Sequence, residues 1–234
     1  MTISIIIPTY NEADNVGKLI RHLIAHSNSS LVDIIVSDAG SGDDTMSIAK
    51  QAGANAVLSS GKGRAAQMNY GAGIAKGDVL YFIHADCLPP PEFMSDIQQA
   101  IQAGYNMGRY CTKFNSDKTI LKINAWFTYF DFFICMGGDQ TLFIKKSFFT
   151  QCKGFREDMK IMEEFEFCKR ARKLGKYKIL NGEALISARK YDTNSWLRVS
   201  LANLKIIRMY KKGASQQQMA ATYKQMLSYR ESAV

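Results

Sequence analysis

Four short apolar runs, spaced by helical patterns, constrain this chain more than anything else in it. Ile3-Ser4-Ile5-Ile6-Ile7, Ile34-Ile35-Val36, Ala56 to Leu58 and Val79 to Ile83 are each of strand length, and each gives way to a polar loop containing Gly or Pro. Between them, Val16, Leu19, Ile20, Leu23 and Ile24 follow helical spacing, and a second helix starts near Thr45, where Asp43 or Asp44 can cap it. A third runs from Arg64 to Ala75, weakened by Gly71 and Gly73, which permit close backbone approach. Parallel strands cannot be joined by hairpins, so this alternation predicts an α/β fold with a mostly parallel central sheet flanked by helices.

The stretch Lys76 to Pro91, KGDVLYFIHADCLPPP, is the centre of that arrangement. Gly77-Asp78 reads as a turn, Val79 to Ile83 as a buried strand, and Pro89, Pro90 and Pro91 stop the chain before the next helical pattern. His84 and Asp86 are thereby delivered to a carboxyl strand end, where open α/β sheets bind ligands in the crevice between loops. The loops Pro8 to Glu12 and Asp38 to Thr45 meet them on one edge if the strands are neighbours, and three such loops can hold a base, a ribose and a diphosphate.

Downstream, Glu92 to Ala103 predicts a helix with Phe93, Ile97 and Ile101 on one face. Tyr110, Thr112 and Phe114 alternate with Arg109, Cys111 and Lys113 as in a half-exposed strand. Thr119 to Phe133 reads as an aromatic-rich helix broken by Gly137-Gly138-Asp139-Gln140, and Thr141 to Lys145 as a short strand. Met162 to Leu174 is amphipathic, with Glu163, Glu164 and Glu166 in its first turn, where the helix dipole favours negative charge. A strand around Leu185 to Ala188 and basic helices in Asn194 to Lys212 and Ser215 to Tyr229 complete the pattern. The expected division is a domain over 1–192, with a nucleotide-binding half at about 1–104 and an acceptor half at about 105–192, followed by a helical tail over 193–234.

Composition narrows the function classes. The chain has 234 residues, 47% of them hydrophobic, and four prolines, which fits a folded globule. Its formal charge of +9 is uneven: residues 169–234 hold 15 Lys/Arg against 3 Asp/Glu, whereas the first 168 hold 15 against 18. Such a basic end suits nucleic acid, an anionic membrane surface or a phosphorylated ligand, but it lacks the aromatic-interleaved pattern of a nucleic-acid binder. Five cysteines without CxxC spacing predict buried thiols in a reducing cytosol. The N-terminus enters a strand without a basic leader, and the aromatic run Trp126 to Met136 is too short to span a bilayer, so a cytoplasmic chain is expected.

Several residues can carry chemistry. A carboxylate at Asp86, directly after a buried strand, needs a partner, and a hard divalent cation bridging to substrate phosphates would supply one; the alternative is a helix cap. His84 either touches a ribose, joins the metal shell or fills a polar niche. Asp38 either meets a ligand or closes its own loop. Lys62, Arg64 and Asn69 follow a Gly-rich turn into a helix, a place suited to anions or to solvated charge. Glu163 and Glu164 either complement the helix dipole or supply a general base.

The ordered blocks IIIPTYNE, VSDAGSGDDT, KGRAAQMNYGAGIAKGDVLYFIHAD, GGDQTLFIKKSFF and MEEFEFCKRARKLG resemble a family 2 glycosyltransferase of the GT-A fold, over about residues 2 to 190. Among its branches the chain is most similar to the short bacterial radical-SAM/selenodomain-associated transferases. The resemblance implies an inverting transfer of a sugar from a nucleotide sugar, usually a uridine diphosphate (UDP) sugar, aided by Mn²⁺ or Mg²⁺. It puts Pro8, Thr9, Tyr10 and Glu12 around uracil and ribose and Asp38 on the uracil. Lys62 and Arg64 fall near the phosphates, Asp86 on the metal, and Asp139 and Gln140 beside donor sugar and acceptor. Glu163 and Glu164 occupy the Glu-Asp motif, whose second residue is the family's base. Two positions depart from the pattern: His84 stands where the metal motif has its first Asp, and Glu164 replaces the usual Asp.

The metal-bound diphosphate would leave without protonation, so a single carboxylate suffices for proton transfer. The acceptor is open. The aromatic run and the basic tail, with Trp196, Leu197, Leu201, Leu204 and Ile207 beside Arg198, Lys205, Arg208, Lys211 and Lys212, suit an anionic membrane at its inner face and a lipid-borne acceptor, or else a packed core with a solvated face. Two alternatives stand beside this reading: a sugar-phosphate nucleotidyltransferase, and a non-catalytic nucleotide-sugar or membrane-binding relative.

Overall fold

A computed structural model describes residues 1–28, 30–131 and 141–228. Its first half follows the expected alternation: β1 (Ile3–Thr9), α1 (Ala13–Ala25), β2 (Val32–Asp38), α2 (Thr45–Gln51), β3 (Asn55–Leu58), α3 (Arg64–Ile74) and β4 (Val79–Phe82). A two-residue strand β5 (Cys87–Leu88), α4 (Phe93–Gln102), β6 (Met107–Phe114), α5 (Thr119–Trp126), β7 (Leu142–Lys145), α6 (Lys146–Gln151) and α7 (Glu163–Ala171) follow. The chain then forms β8 (Tyr177–Ile186), α8 (Lys190–Thr193), α9 (Trp196–Lys211) and α10 (Gln216–Met226).

One eight-stranded sheet, ordered β3-β2-β1-β4-β7-β6-β8-β5, runs through the molecule. The first four strands are mutually parallel, β7 runs antiparallel to β4 and β6, and β8 lies parallel to β6. Strand pleating sorts the core. Ile3, Ile5 and Ile7 pack with Val16, Leu19, Ile20 and Leu23 of α1 and Phe93 and Ile97 of α4, whereas Ile6 meets Met68 and Ala72 of α3 on the opposite face. Fully buried side chains such as Phe93 and Ile97 each contribute about 1.5–3 kcal/mol. Pro8 is tolerated in the central strand because β1 pairs with β4 only through Ile6, so no donor is needed from residue 8 on that side.

The sheet curls. The chain passes from Phe82 in β4 to Cys87 in β5 within a reach of about 17 Å, although the two strands lie four places apart, about 19 Å in a flat sheet. Curling brings β8 and the edge strand β5 back toward the carboxyl ends of β1, β2 and β4.

Several sequence expectations change. The strand at Arg109 to Phe114 is not half-exposed: residues 107–112 are buried, because α5 and the 3-10 turn Phe127–Tyr129 cover the face that carries Arg109 and Cys111. Arg109 donates to the carbonyls of Tyr110 and Thr128 instead of reaching water. The helix from Thr119 stops at Trp126, and its expected end lies outside the described residues. The last strand spans Tyr177–Ile186, well before the expected Leu185 to Ala188, and α6, α8 and β5 had no legible signal. Gly71 does sit against β1, since a Cβ there would lie 2.6 Å from Ile6 Cγ2, but Gly73 faces open space. Cys87, Cys111 and Cys152 are buried and Cys168 partly so, and Cys135 lies outside the described residues.

Candidate active site

The carboxyl ends of β1 and β2 are locked together by Asp38. Its carboxylate accepts from Thr9 Oγ1 (2.8 Å), Gly40 N (2.8 Å), Ser41 N (2.7 Å) and Ser41 Oγ (2.6 Å), so the side chain closes its own loop and holds β1 to it. Gln67 of α3, also buried, donates from Nε2 to the carbonyls of Thr9 and Ser37. Asn11 adopts a left-handed conformation (φ 54°) and accepts from Gly42 N at 2.9 Å, joining the two loops again. The result is a rigid rim at the crevice.

Asp86 sits at the next strand end, and β5 decides what it meets. Cys87 pairs with Ile186, and Ser187 N donates to the Asp86 carbonyl (3.1 Å), so the residues after β8 are laid beside those before β5. Arg189 is thereby delivered into the site. Its guanidinium grips both oxygens of Glu12, with Nη1 at 2.9 Å from Oε2, and its Nη2 lies 3.2 Å from Asp86 Oδ2. Glu12 is also held by Asn15 Nδ2 (2.7 Å), and its backbone N–H donates to Thr45 Oγ1 (2.8 Å).

The third wall is the start of α7. Met162, which caps the helix, takes a left-handed conformation (φ 69°), a strained state for a non-glycine residue, and turns the chain so that Glu163 and Glu164 face inward. Both are buried, and each meets a basic side chain: Arg64 Nε lies 3.3 Å from Glu163 Oε1, and His84 Nε2 lies 3.4 Å from Glu164 Oε1. Burial raises the Glu164 carboxyl above its usual range, against the opposing charges of His84 and Arg64. For His84 burial is the largest single influence and lowers the pKa, but the charge and hydrogen bonding of Glu164, together with the Asp86 charge, outweigh it and the net direction is upward. The turn ahead of Met162 is secured from the other end of the sequence, because Gln216 Oε1 at the start of α10 accepts from Lys160 N (3.0 Å) and Ile161 N (3.2 Å).

These walls enclose a cleft of about 960 Å³. Its polar end is lined by Asn11, Arg64, Asp86, Glu163, Glu164 and Arg189; its other end is lined by Phe114, Ile206, Ile207, Tyr223 and Leu227, with Lys160, Lys190 and Lys224 among them. Of the expected site residues, Arg64, Asp86, Glu163 and Glu164 therefore share one cavity, with Glu12 joined to it through Arg189 and His84 through Glu164. Pro8, Thr9 and Asp38 are buried behind the rim, whereas Tyr10 and Lys62 are exposed beside it. Asn69 is spent elsewhere: its amide bonds the backbone of Phe155 on both sides and the Glu157 carboxylate. Asp139 and Gln140 lie outside the described residues. Sequence reasoning missed Arg189 and Gln67, which no local motif marks.

Among the described residues no group of three or more His, Cys, Asp or Glu side chains is arranged to hold a metal ion. A hard divalent cation in a phosphate site needs only one or two carboxylates, because substrate oxygens and water complete its shell. Asp86, a carboxylate facing a cleft of this size, fits that role. The guanidinium near its Oδ2 marks the same spot as one that attracts positive charge.

Residues 4–160 match the sequence profile of Glycosyl transferase family 2. A curated relative, the undecaprenyl-phosphate 4-deoxy-4-formamido-L-arabinose transferase of Edwardsiella ictaluri, is 30% identical over 114 residues, 45% of this chain and 35% of that protein. The chain spans about a third of the length of the curated relatives it matches. In shape it is similar to the mannosyltransferase PcManGT from Pyrobaculum calidifontis in complex with GDP-Man and Mn²⁺, with TM-score 0.66, 15% identity, and 96% of this chain and 69% of that one covered. It is also similar to glucosyl-3-phosphoglycerate synthase from Mycobacterium tuberculosis in complex with Mn²⁺, UDP and phosphoglyceric acid, with TM-score 0.59, 17% identity, and 100% and 81% covered. At these identities the structural likeness speaks for the GT-A fold.

Proposed function

The chain belongs to glycosyl transferase family 2, and on that premise we propose that it moves a sugar from a UDP-sugar to an acceptor hydroxyl with inversion at the anomeric carbon. Within the family we assign it to the short bacterial branch that its ordered sequence blocks resemble. One observation carries the reading: a buried carboxylate, Glu164, shares a cleft with Asp86 and Arg64 at the carboxyl ends of parallel strands.

In this reading the rim built on Thr9, Asp38 and Glu12, with Pro8 and Tyr10 beside it, receives the uracil and ribose, and Arg64 with Lys62 faces the diphosphate. Mn²⁺ or Mg²⁺, held by Asp86 and the donor's own phosphates, would supply positive charge to the leaving group. The acceptor oxygen attacks the anomeric carbon from the side opposite the diphosphate, the bond from that carbon to the diphosphate oxygen breaks, and the acceptor proton passes to Glu164. A raised pKa suits Glu164 to this work, since a base poised nearer to neutrality accepts a proton more readily. Glu163, paired with Arg64, keeps that cation at the phosphate end. Asp139 and Gln140 retain the sugar-side role implied by the resemblance.

The far end of the cleft supports a lipid-borne acceptor. Apolar walls set among lysines suit a molecule with a hydrocarbon portion and an anionic head, and a chain that works on such a molecule belongs at the inner face of the membrane. The test is calorimetric titration of UDP with and without Mn²⁺ on the wild type and on Asp86→Ala. Metal-dependent binding in the wild type, weakened at least about tenfold in the variant, is expected. Binding that is indifferent to Mn²⁺ and to residue 86 would overturn the donor site.

A further inference from the structure

His84 and Glu164 are 80 positions apart in the chain, yet they meet at 3.4 Å, with side chains 18% and 11% exposed. His84 is fixed by the backbone: Ile83 N donates to Ile6 O, and the His84 carbonyl accepts from Cys87 N, so the residue is clamped between β4 and the turn into β5. Glu164, by contrast, projects from the first turn of α7 on a side chain with three rotatable bonds. A base on so long an arm needs something to hold it.

We propose that His84 is a positioning residue for the general base: it donates from Nε2 to Glu164 Oε1, fixes the carboxylate's rotamer and leaves Oε2 to take the acceptor proton. This rests on the glycosyltransferase reading above and gives His84 a task within it other than touching the donor. The two positions at which the chain departs from its family's pattern are then one change in two parts. An Asp at 164 would stop one methylene short of the imidazole. An Asp at 84 would set a second negative charge against the base instead of a donor. A neutral imidazole with its proton on Nε2 performs the task as well as a charged one, so the arrangement does not depend on the ionisation of His84.

The experiment pairs kinetics with structure on His84→Ala, His84→Gln, His84→Asp, Glu164→Gln and the double variant His84→Ala/Glu164→Gln. UDP affinity is read by calorimetry, and turnover by UDP release from UDP-glucose, UDP-galactose and UDP-N-acetylglucosamine, with water as acceptor. His84→Ala should lower kcat by about 10- to 100-fold while UDP affinity stays within about threefold of wild type. His84→Gln, whose amide N–H reaches about as far as Nε2, should recover most of that loss, and His84→Asp should be slower than His84→Ala. The double variant should match Glu164→Gln within about threefold, because residues acting as one unit are not additive. Weakened UDP binding with unchanged kcat in His84→Ala, or losses that multiply in the double variant, would overturn the proposal. If the wild type turns over none of these donors, the transfer reading is what fails, and crystal structures of wild type and His84→Ala still decide: a Glu164 rotamer unchanged without His84 refutes positioning, and a released one supports it.

Discussion

At the scale of single residues the site is a set of carboxylates, each held by something different. Asp38 is consumed by four donors of its own neighbourhood, Asp86 leans on Arg189, Glu163 on Arg64 and Glu164 on His84. The consequence for pH is specific to Glu164. Protonated, it cannot accept the acceptor's proton, so turnover should fall on acidification through a limb placed above the ordinary glutamate value of 4.5. Arg64 lowers that pKa through its charge and neutralises Glu163 beside it, so Arg64→Met should move the limb upward. The pH profile of UDP release from saturating UDP-sugar reads it, and a limb unmoved by the substitution would remove Glu164 from the base role. Asp86, Glu163 and Glu164 were legible in the sequence because a carboxylate after a buried strand, or a pair at a helix start, contradicts or exceeds what packing requires. Arg189 was not, because its partners Glu12 and Asp86 are 177 and 103 positions away and nothing in Ser187 to Tyr191 sets it apart from ordinary surface charge.

Among the elements, strands and helices with clean periodicity were readable to within a few residues, and those settled by tertiary contact were not. β1, β2 and β4 carry apolar runs that only a buried strand explains. β6 shows alternation, which normally signals one wet face, but α5 and the following turn cover that face, and Thr128 supplies both an acceptor to Arg109 and, through Oγ1, a partner to Thr112 N at 2.9 Å. β5 exists only because β8 curls round to meet it. Within α3 the same residue type has opposite duties two positions apart. Gly71→Ala should destabilise the fold by about 1–3 kcal/mol, since its Cβ would press on the buried Ile6. Gly73→Ala should stabilise it by about 0.5–1 kcal/mol, because that helical position faces open space and loses only unfolded-state freedom. Urea unfolding of the two variants reads both signs, and two shifts in the same direction would contradict the packing of α3 on β1.

For the whole molecule, the membrane contact proposed above would fall on exposed apolar side chains set beside basic ones. No helix among the described residues is long and apolar enough to cross a bilayer. α9 buries Val199, Ala202, Ile206 and Ile207, yet leaves Leu197 60% and Leu201 51% exposed beside Arg198 and Lys205. α5 exposes Ile123 and Trp126, the 3-10 turn after it exposes Phe127, and Lys118 at the start of α5 donates to the Tyr191 carbonyl, which sets that stripe near α8. Sedimentation with phosphatidylcholine vesicles containing about a third phosphatidylglycerol should carry the protein down, less so at high salt and at least about tenfold less with Leu197→Asp/Leu201→Asp. Equal sedimentation with purely zwitterionic vesicles would sink the idea.

The hydrogen bonds from Lys160 and Ile161 to Gln216 bind the turn before α7 to α10 in time as well as in space. While α10 is docked, those two amides are shielded; when it lifts, they are offered to water together with the strained turn at Met162. Their protection from solvent exchange should therefore follow how often α10 leaves and returns, and the aim of Glu163 and Glu164, which that turn sets, should follow it too.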